Sequence, residues 1–188
     1  MQDPSELLAF LLGTTKVVRR KIFVSYHHAG DQVYYDAFSR TFNDTYEAIF
    51  DNSVDRLIDS RDPEYQMRRI REEYITGTSC TVVLCGADTP WRKFVDWEIK
   101  ATLDKEHGLI GVNLPTNPMS RAGQYTVPNR LSDNIDRGFA LWTSWTVVTG
   151  GGATGLSQLV EVANGRPTVL MANERPMMTR NGAAPWQR

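Results

Sequence analysis

Residues 91–114 read WRKFVDWEIKATLDKEHGLIGVNL, and this stretch decides the fold. On a helix of 3.6 residues per turn, residues 91–105 separate into an apolar face and a charged face. The apolar face carries Trp91, Phe94, Val95, Ile99 and Thr102. The charged face carries Arg92, Lys93, Asp96, Lys100 and Asp104. We expect Gly108 to cap this helix and residues 109–114 to follow as a buried strand.

Glu98 interrupts the apolar face of this predicted helix. It lies four residues after Phe94 and four before Thr102. Burying an unpaired carboxylate costs several kcal/mol, so such a residue is paired, protonated or directed into a functional cavity. Two interpretations therefore stay open, namely a functional carboxylate or one that reaches solvent or pairs with an arginine from a neighbouring element.

Length and composition are those of one ordinary globular domain. The chain has 188 residues, of which 41% are hydrophobic and 23% charged, and its formal net charge is -1. This charge balance predicts neither a nucleic-acid partner nor an anionic membrane surface. The two cysteines, Cys80 and Cys85, lie in an apolar run and are expected to be reduced, as in a cytoplasmic protein. Three histidines and two cysteines are too few for a structural zinc site of the usual kind.

Strand and helix patterns alternate along the chain. The run KIFVSY at 21–26 predicts a first strand, and residues 31–48 predict a helix whose inner side carries Tyr34, Phe38 and Phe42. Residues 49–50 predict a short second strand, and Asp62-Pro63 marks the start of the next helix. Thr81–Cys85 is expected to be a central strand. Strands joined by helical crossovers predict an α/β fold with a mostly parallel sheet and helices on both faces.

The ends of the chain carry weaker patterns. Residues 1–20 are expected to form a helical extension around Leu7–Leu12, with Asp3 and Glu6 where a signal peptide would carry basic residues. Residues 115–130 predict a long loop, and residues 131–146 predict a short helix followed by an edge strand. The glycines at 150–152 predict a hinge, and residues 156–163 predict a last helix. We expect a main domain at 21–148 and a partly flexible extension at 149–188, loosely ordered beyond Arg175.

Ligands of parallel α/β sheets bind at the carboxyl ends of the strands, beside a topological switch point. Three predicted segments meet there, 25–31, 51–62 and 86–98, and they place Glu98 over that edge. Ser25, Tyr26, His27 and His28 are candidates for a wall of the site or, alternatively, a polar loop that only caps a strand. Asp59 and Arg61 are expected either to reach the site or to pair on the surface.

Three segments of the chain resemble one known family. They are FVSYHHAGD at 23–31, EYITGTSCTVVLCG at 73–86 and VDWEIKATLDKEHGLIGVNLP at 95–115. Together they are similar to the TIR-like family that contains ThsB of the bacterial Thoeris antiphage system, and the likeness covers about half of the chain. The resemblance implies a flavodoxin-like, TIR-type sheet.

The resemblance also implies an activity. Enzymatic TIR domains cleave nicotinamide from NAD+ with one glutamate, which Glu98 matches, and Thoeris TIR proteins are thought to cyclise the ADP-ribose product into a diffusible signal for a downstream effector. NAD+ is then a substrate, with no cofactor or metal and with self-association expected. Phe94 stands where many TIR enzymes have tryptophan, with Trp91 and Trp97 flanking it. The loop at 25–28 would contact ribose or phosphate.

Other function classes remain as alternatives. A TIR-like module that works only by assembly is the main one, and a buried Glu98 argues against it. A phosphoacceptor receiver needs acidic residues after its first and third strands, where this chain has Ser-Tyr-His and Cys-Gly-Ala. A nucleoside deoxyribosyltransferase also uses a glutamate near a ribosyl carbon, and only a substrate test separates it from an NAD+ glycohydrolase.

Overall fold

The computed structural model describes residues 20–44, 46–50 and 62–183. Within them a five-stranded sheet has the order β2-β1-β3-β4-β5, and every neighbouring pair is parallel. The strands are β1 (Arg20–Ser25), β2 (Tyr46–Phe50), β3 (Cys80–Cys85), β4 (Gly108–Asn113) and β5 (Leu141–Ser144). This is the flavodoxin-like order, with its switch point between β1 and β3. The predicted fold class is confirmed.

Helices cover both faces of the sheet. They are α1 (His28–Phe42), α2 (Pro63–Arg69), α3 (Lys93–Asp104), α4 (Asn129–Asp136) and α5 (Trp145–Asn164). A π-helical turn at Ile70–Ile75 extends α2, and 3-10 turns lie at Thr89–Trp91 and Thr168–Leu170. Helices α1 and α5 pack on one face, and α2, α3 and α4 on the other. None of the helices in the described ranges is long and apolar enough to cross a membrane.

β3 is central, as predicted, and buried over its whole length. Its alternate side chains enter opposite cores, so Val82 packs with α1 and α5 while Val83 packs with α3 and α4. Cys80 and Cys85 likewise lie in opposite cores as free, buried thiols, and burial raises the pKa of each. Both thiols are therefore protonated packing residues.

The first helix is shorter at its end than the sequence predicts. The pattern placed it at 31–48, whereas α1 starts at His28 and ends at Phe42. Residues from Tyr46 pair with β1 from Arg20 onward, so strand pairing overrides the helical pattern there. Tyr35 rather than Tyr34 completes the buried stripe with Phe38 and Phe42.

The boundaries of the other elements are close to those predicted. Asp62 caps α2 by accepting a hydrogen bond from the Glu64 amide, as its position before Pro63 predicts. α3 begins two residues later than expected, because Trp91 belongs to the preceding 3-10 turn. Gly108 does not cap α3 but begins β4, and Glu106, at φ 56°, terminates the helix.

The predicted glycine hinge lies inside a helix. α5 runs through residues 150–152 with a kink at Gly152, whose φ is 56°. The helix also crosses the boundary between residues 148 and 149, where the sequence analysis separates the main domain from the C-terminal extension. Val148, Leu156 and Val160 are all buried in one core with β3 and β4. This part of the chain therefore completes the cover of the sheet.

Candidate active site

Glu98 lies in the second turn of α3 and is 5% exposed. Its Oε2 accepts a 2.5 Å hydrogen bond from Ser25 Oγ, and Ser25 is the last residue of β1 and is 1% exposed. α3 follows β3, so this contact joins the two strands that flank the switch point. The structure thus brings together two of the predicted site residues at the carboxyl edge of the sheet.

A buried chain of hydroxyl groups fixes the turn that carries Glu98. Thr102 Oγ1 donates a 2.8 Å hydrogen bond to the backbone carbonyl of Glu98. Thr102 Oγ1 also lies 2.6 Å from Thr81 Oγ1 on β3. Because Thr102 uses its one hydrogen on Glu98, Thr81 is the donor to Thr102. The helix backbone at Glu98 is therefore tied to the central strand.

Tyr26 lies next to Ser25, half-buried between aromatic and polar neighbours. Its hydroxyl donates to Gln32 Oε1 at 2.8 Å, and its ring stacks on Tyr35 with centroids 4.8 Å apart. Burial raises the pKa of Tyr26 above its usual range, and the charges of Asp36 and Glu98 act in the same direction. The phenol is accordingly neutral at physiological pH and able to donate a hydrogen bond.

His28 is the first residue of α1, and His27 precedes it at the N-cap position. His27 uses its backbone carbonyl to accept from the amides of Gly30 and Asp31, at 3.2 and 2.8 Å. The His28 ring lies 6.2 Å from the ring of Tyr26, and its buried Nδ1 has no hydrogen-bond partner among the described residues. No group of three or more histidine, cysteine, aspartate or glutamate residues in the described ranges has the arrangement of a metal site.

Asp31 is a buried residue beside the candidate site that the sequence analysis did not identify. It lies in the first turn of α1, is 2% exposed, and accepts hydrogen bonds from Thr89 Oγ1 at 2.8 Å and Thr116 Oγ1 at 3.3 Å. Thr89 Oγ1 in turn accepts from the Gly86 amide at 3.0 Å. Burial raises the pKa of Asp31. One carboxylate thus links the segments that follow β1, β3 and β4.

The predicted aromatic residues separate into two groups. Phe94, one turn before Glu98, meets the edge of Trp97 with ring centroids 5.5 Å apart, and Lys93 Nζ lies 4.6 Å from the Phe94 ring centre. Trp91 instead lies against Gly182 and lines a cavity of about 540 Å³ whose lining does not include Glu98. The predicted site residues Asp59 and Arg61 lie outside the described residues.

Asp96 is not on a charged, solvated face as predicted. It is 4% exposed and accepts from Arg130 Nε at 2.9 Å and Nη2 at 3.3 Å, and Arg130 is itself fully buried. Its Oδ2 also accepts from the Met178 amide at 2.9 Å. α4 and the C-terminal segment cover this side of α3, so the helix is buried on more than the one face that its sequence shows.

The C-terminal segment, for which the sequence predicts loose order beyond Arg175, is described up to residue 183. Residues 171–183, which we call the C-terminal strap, make hydrogen bonds with α3 and α4. Trp97 Nε1 donates to the Met178 carbonyl at 2.8 Å, and the Lys93 amide donates to Asn181 Oδ1 at 2.9 Å. The backbone groups of Met178 thus bond to α3 rather than within a helix or strand of the strap.

The chain is similar to one protein family and to solved TIR domains. The model of the family described as Thoeris protein ThsB, TIR-like domain, matches residues 23–119, just over half of the chain and including Ser25 and Glu98. Among solved structures, the chain is similar to the TIR domains in the structure of the activated Roq1 resistosome directly recognising the pathogen effector XopQ. That likeness has 14% identity and a TM-score of 0.36, and it covers 51% of this chain and 58% of that one. A search of curated protein sequences finds no match.

Proposed function

The chain belongs to the TIR-like domain family of Thoeris protein ThsB, and on that premise we propose that it cleaves nicotinamide from NAD+. Glu98 is the catalytic carboxylate of this proposal. The observation that carries it is the burial of Glu98 at the carboxyl edge of the sheet, with Ser25 Oγ held 2.5 Å from its carboxylate. Perturbed or buried carboxylates at such edges are candidates for catalysis.

The reaction suits a single carboxylate. When the bond between C1′ of the ribose and the nicotinamide nitrogen breaks, its electron pair leaves with nicotinamide, which becomes neutral. The positive charge then develops on the ribosyl carbon and ring oxygen, and a fixed carboxylate stabilises it. Because the leaving group is already cationic in NAD+, no proton donor has to assist its departure.

We propose that an atom of the same molecule attacks the ribosyl cation, so that the product is a cyclic ADP-ribose. The bond forms between C1′ and a nucleophilic atom of the adenosine part, and water at the same carbon would give linear ADP-ribose instead. Cyclisation requires that water be kept from the ribosyl centre. The aromatic side chains of Tyr26 and Phe94, with the phenol of Tyr26 neutral, suit such a site.

The cyclic product would act as a diffusible signal to a downstream effector in antiphage defence. NAD+ is a substrate in this scheme, so no separate cofactor is required. We propose that the protein acts in the cytoplasm, where NAD+ is available. We also propose that the TIR-like domain self-associates. Asp59 and Arg61 are proposed as further contacts of the substrate.

The test compares NAD+ consumption by the wild type and by Glu98→Gln at high protein concentration, with products identified by mass spectrometry. We expect free nicotinamide and a cyclic product from the wild type, and a rate at least ~100-fold lower from the variant. Glu72→Gln, which alters an exposed carboxylate outside the site, is the matched control and should retain the wild-type rate.

Three outcomes would change the proposal. Equal rates for the wild type and Glu98→Gln would remove Glu98 from catalysis. Linear ADP-ribose as the sole product would restrict the activity to hydrolysis. Absence of turnover with a wild type that assembles at high concentration would leave the non-enzymatic assembly module as the function.

A further inference from the structure

The C-terminal strap follows the whole length of α3. Asn173 Nδ2 donates to Asp104 Oδ1 at 2.7 Å, at the end of the helix. The Met178 amide and carbonyl then bond to Asp96 and Trp97 in the middle. The strap reaches the start of the helix at residues 181 and 182. It therefore runs antiparallel to the helix that carries Glu98, although it lies outside the part of the chain that matches the family.

The start of α3 is capped by the strap. Arg92 occupies the N-cap position but makes no side-chain capping hydrogen bond. Asn181 Oδ1 instead accepts from the Lys93 amide at 2.9 Å, while the Gly182 amide donates to the Trp91 carbonyl at 2.8 Å. The first amides of a helix have no partner within it, so an acceptor supplied from elsewhere stabilises the first turn.

The middle of α3 is fixed to the strap by buried groups. Arg130 binds both oxygens of Asp96 and also donates to the Pro176 carbonyl at 3.2 Å. Trp97, the residue before Glu98, is 2% exposed and donates to the Met178 carbonyl. Rotation or translation of α3 would therefore break several hydrogen bonds at once.

We propose that the C-terminal strap is a positioning element for Glu98, with Asn181 as the residue that fixes the first turn of α3. The proposal rests on the proposed function in that Glu98 is the catalytic carboxylate. Asn181 acts through the helix and does not touch the reacting atoms. Loss of its cap loosens the turn directly before the one that holds Glu98, and small displacements of a catalytic group lower the rate of the chemical step.

The first experiment uses point variants of Asn181 in the full chain. Asn181→Ala removes the acceptor, and we expect kcat for NAD+ cleavage to fall about fivefold with KM nearly unchanged, because a displaced catalytic group slows the chemical step. Asn181→Asp retains an acceptor and adds a negative charge near a helix N-terminus, so it should retain the wild-type kcat. Thr179→Ala, an exposed change in the same strap, is the matched control.

A second readout does not depend on activity. We expect amide hydrogen exchange at Lys93, followed by NMR, to be about fivefold faster in Asn181→Ala than in the wild type, with no increase in Asn181→Asp. Trp97→Phe keeps an aromatic side chain but removes the donor to the Met178 carbonyl, and it should raise exchange further along α3. A wild type without NAD+ turnover refutes the proposed function, while exchange still decides whether the strap holds α3.

The positioning role is overturned by either of two results. If exchange becomes faster in Asn181→Ala but kcat stays at the wild-type value, the strap holds the helix end without positioning Glu98. If Asn181→Asp behaves like Asn181→Ala in both measurements, capping is not the cause of the effect.

Discussion

Two buried carboxylates lie two residues apart on α3 and contact different chemical groups. Asp96 accepts hydrogen bonds from the Arg130 guanidinium and from the Met178 backbone amide. Together these donors use both of its carboxylate oxygens. Glu98 accepts a hydrogen bond from the Ser25 hydroxyl group at the carboxyl edge of the sheet. The guanidinium forms an ion pair with Asp96, whereas the Ser25 hydroxyl is a neutral donor that orients Glu98.

The difference shows that burial of a carboxylate does not by itself identify a catalytic residue. Asp96 and Glu98 are 4% and 5% exposed, so exposure does not separate them. Position does, because Asp96 faces α4 and the strap, whereas Glu98 faces the end of β1. We therefore assign Asp96 to the stability of the fold and propose chemistry only for Glu98.

The largest expected effect is on stability, from Asp96→Asn. The amide leaves the fully buried Arg130 guanidinium without a counter-charge, and breaking a buried pair in this way costs about 3–5 kcal/mol. The measurement is the free energy of unfolding from urea titration. Asp104→Asn, at the exposed end of the same helix, removes the surface ion pair with Lys100 but keeps an oxygen that can accept from Asn173, so it should cost less than about 1 kcal/mol.

Glu98→Gln provides the reciprocal test of the same comparison. It keeps an oxygen that accepts from Ser25, so its unfolding free energy should stay within about 1 kcal/mol of the wild type. If Glu98→Gln destabilised the protein as strongly as Asp96→Asn, the two carboxylates would share a structural role and the division between them would be wrong.

The next effect is the coupling between Asp96 and Arg130. Arg130→Met alone leaves the Asp96 carboxylate buried without its cation, whereas the double variant with Asp96→Asn buries neither charge. We expect the double variant to lose less stability than the sum of the single variants, by about 2 kcal/mol. A double-mutant cycle in urea measures this difference, and strict additivity would show that the pair is not the source of the cost.

A smaller effect is expected at the partner of Glu98. Ser25→Ala removes the hydroxyl that orients the carboxylate, and kcat for NAD+ cleavage should fall about tenfold. Ser79→Ala is the matched control, since the buried Ser79 Oγ has no hydrogen-bond partner within the described ranges. A Ser25→Ala variant with full activity would mean that the rest of the site orients Glu98 without this hydroxyl.

The fold and the position of Glu98 were predictable because they depend on local periodicity. A carboxylate within an apolar stripe was the signal for Glu98, and Asp31 carries the same signal. Asp31 precedes Tyr35 by four residues and Phe38 by seven, but the sequence predicts the helix to begin at Asp31 itself, whereas α1 begins at His28. The predicted start therefore put Asp31 at the boundary of the helix, and an earlier start would have shown it inside the buried stripe.

The partner of Asp96 could not be predicted in this way. Arg130 lies 34 residues further along the chain, after a long loop, and no pattern within α3 indicates which of its polar residues meets α4. The strap presents the same difficulty, since it carries no helical or strand pattern. Asn181 contacts α3 across 88 residues of sequence, and only the assembled fold brings them together.

The last and smallest effect is a pH dependence at Asp31, the third buried carboxylate. Burial raises its pKa in the folded protein above the ordinary value of 3.8, so near and above pH 3.8 the folded state binds more protons than the unfolded state. Stability should therefore fall as pH rises from 3.8 through the raised pKa, and Asp31→Asn should lack this loss. Urea titrations at several pH values measure the difference, and Asp36→Asn, an exposed change on the same helix, is the control. If the difference between wild type and Asp31→Asn did not vary with pH, Asp31 would carry the same charge in both states, and the contacts with Thr89 and Thr116 would offset its burial.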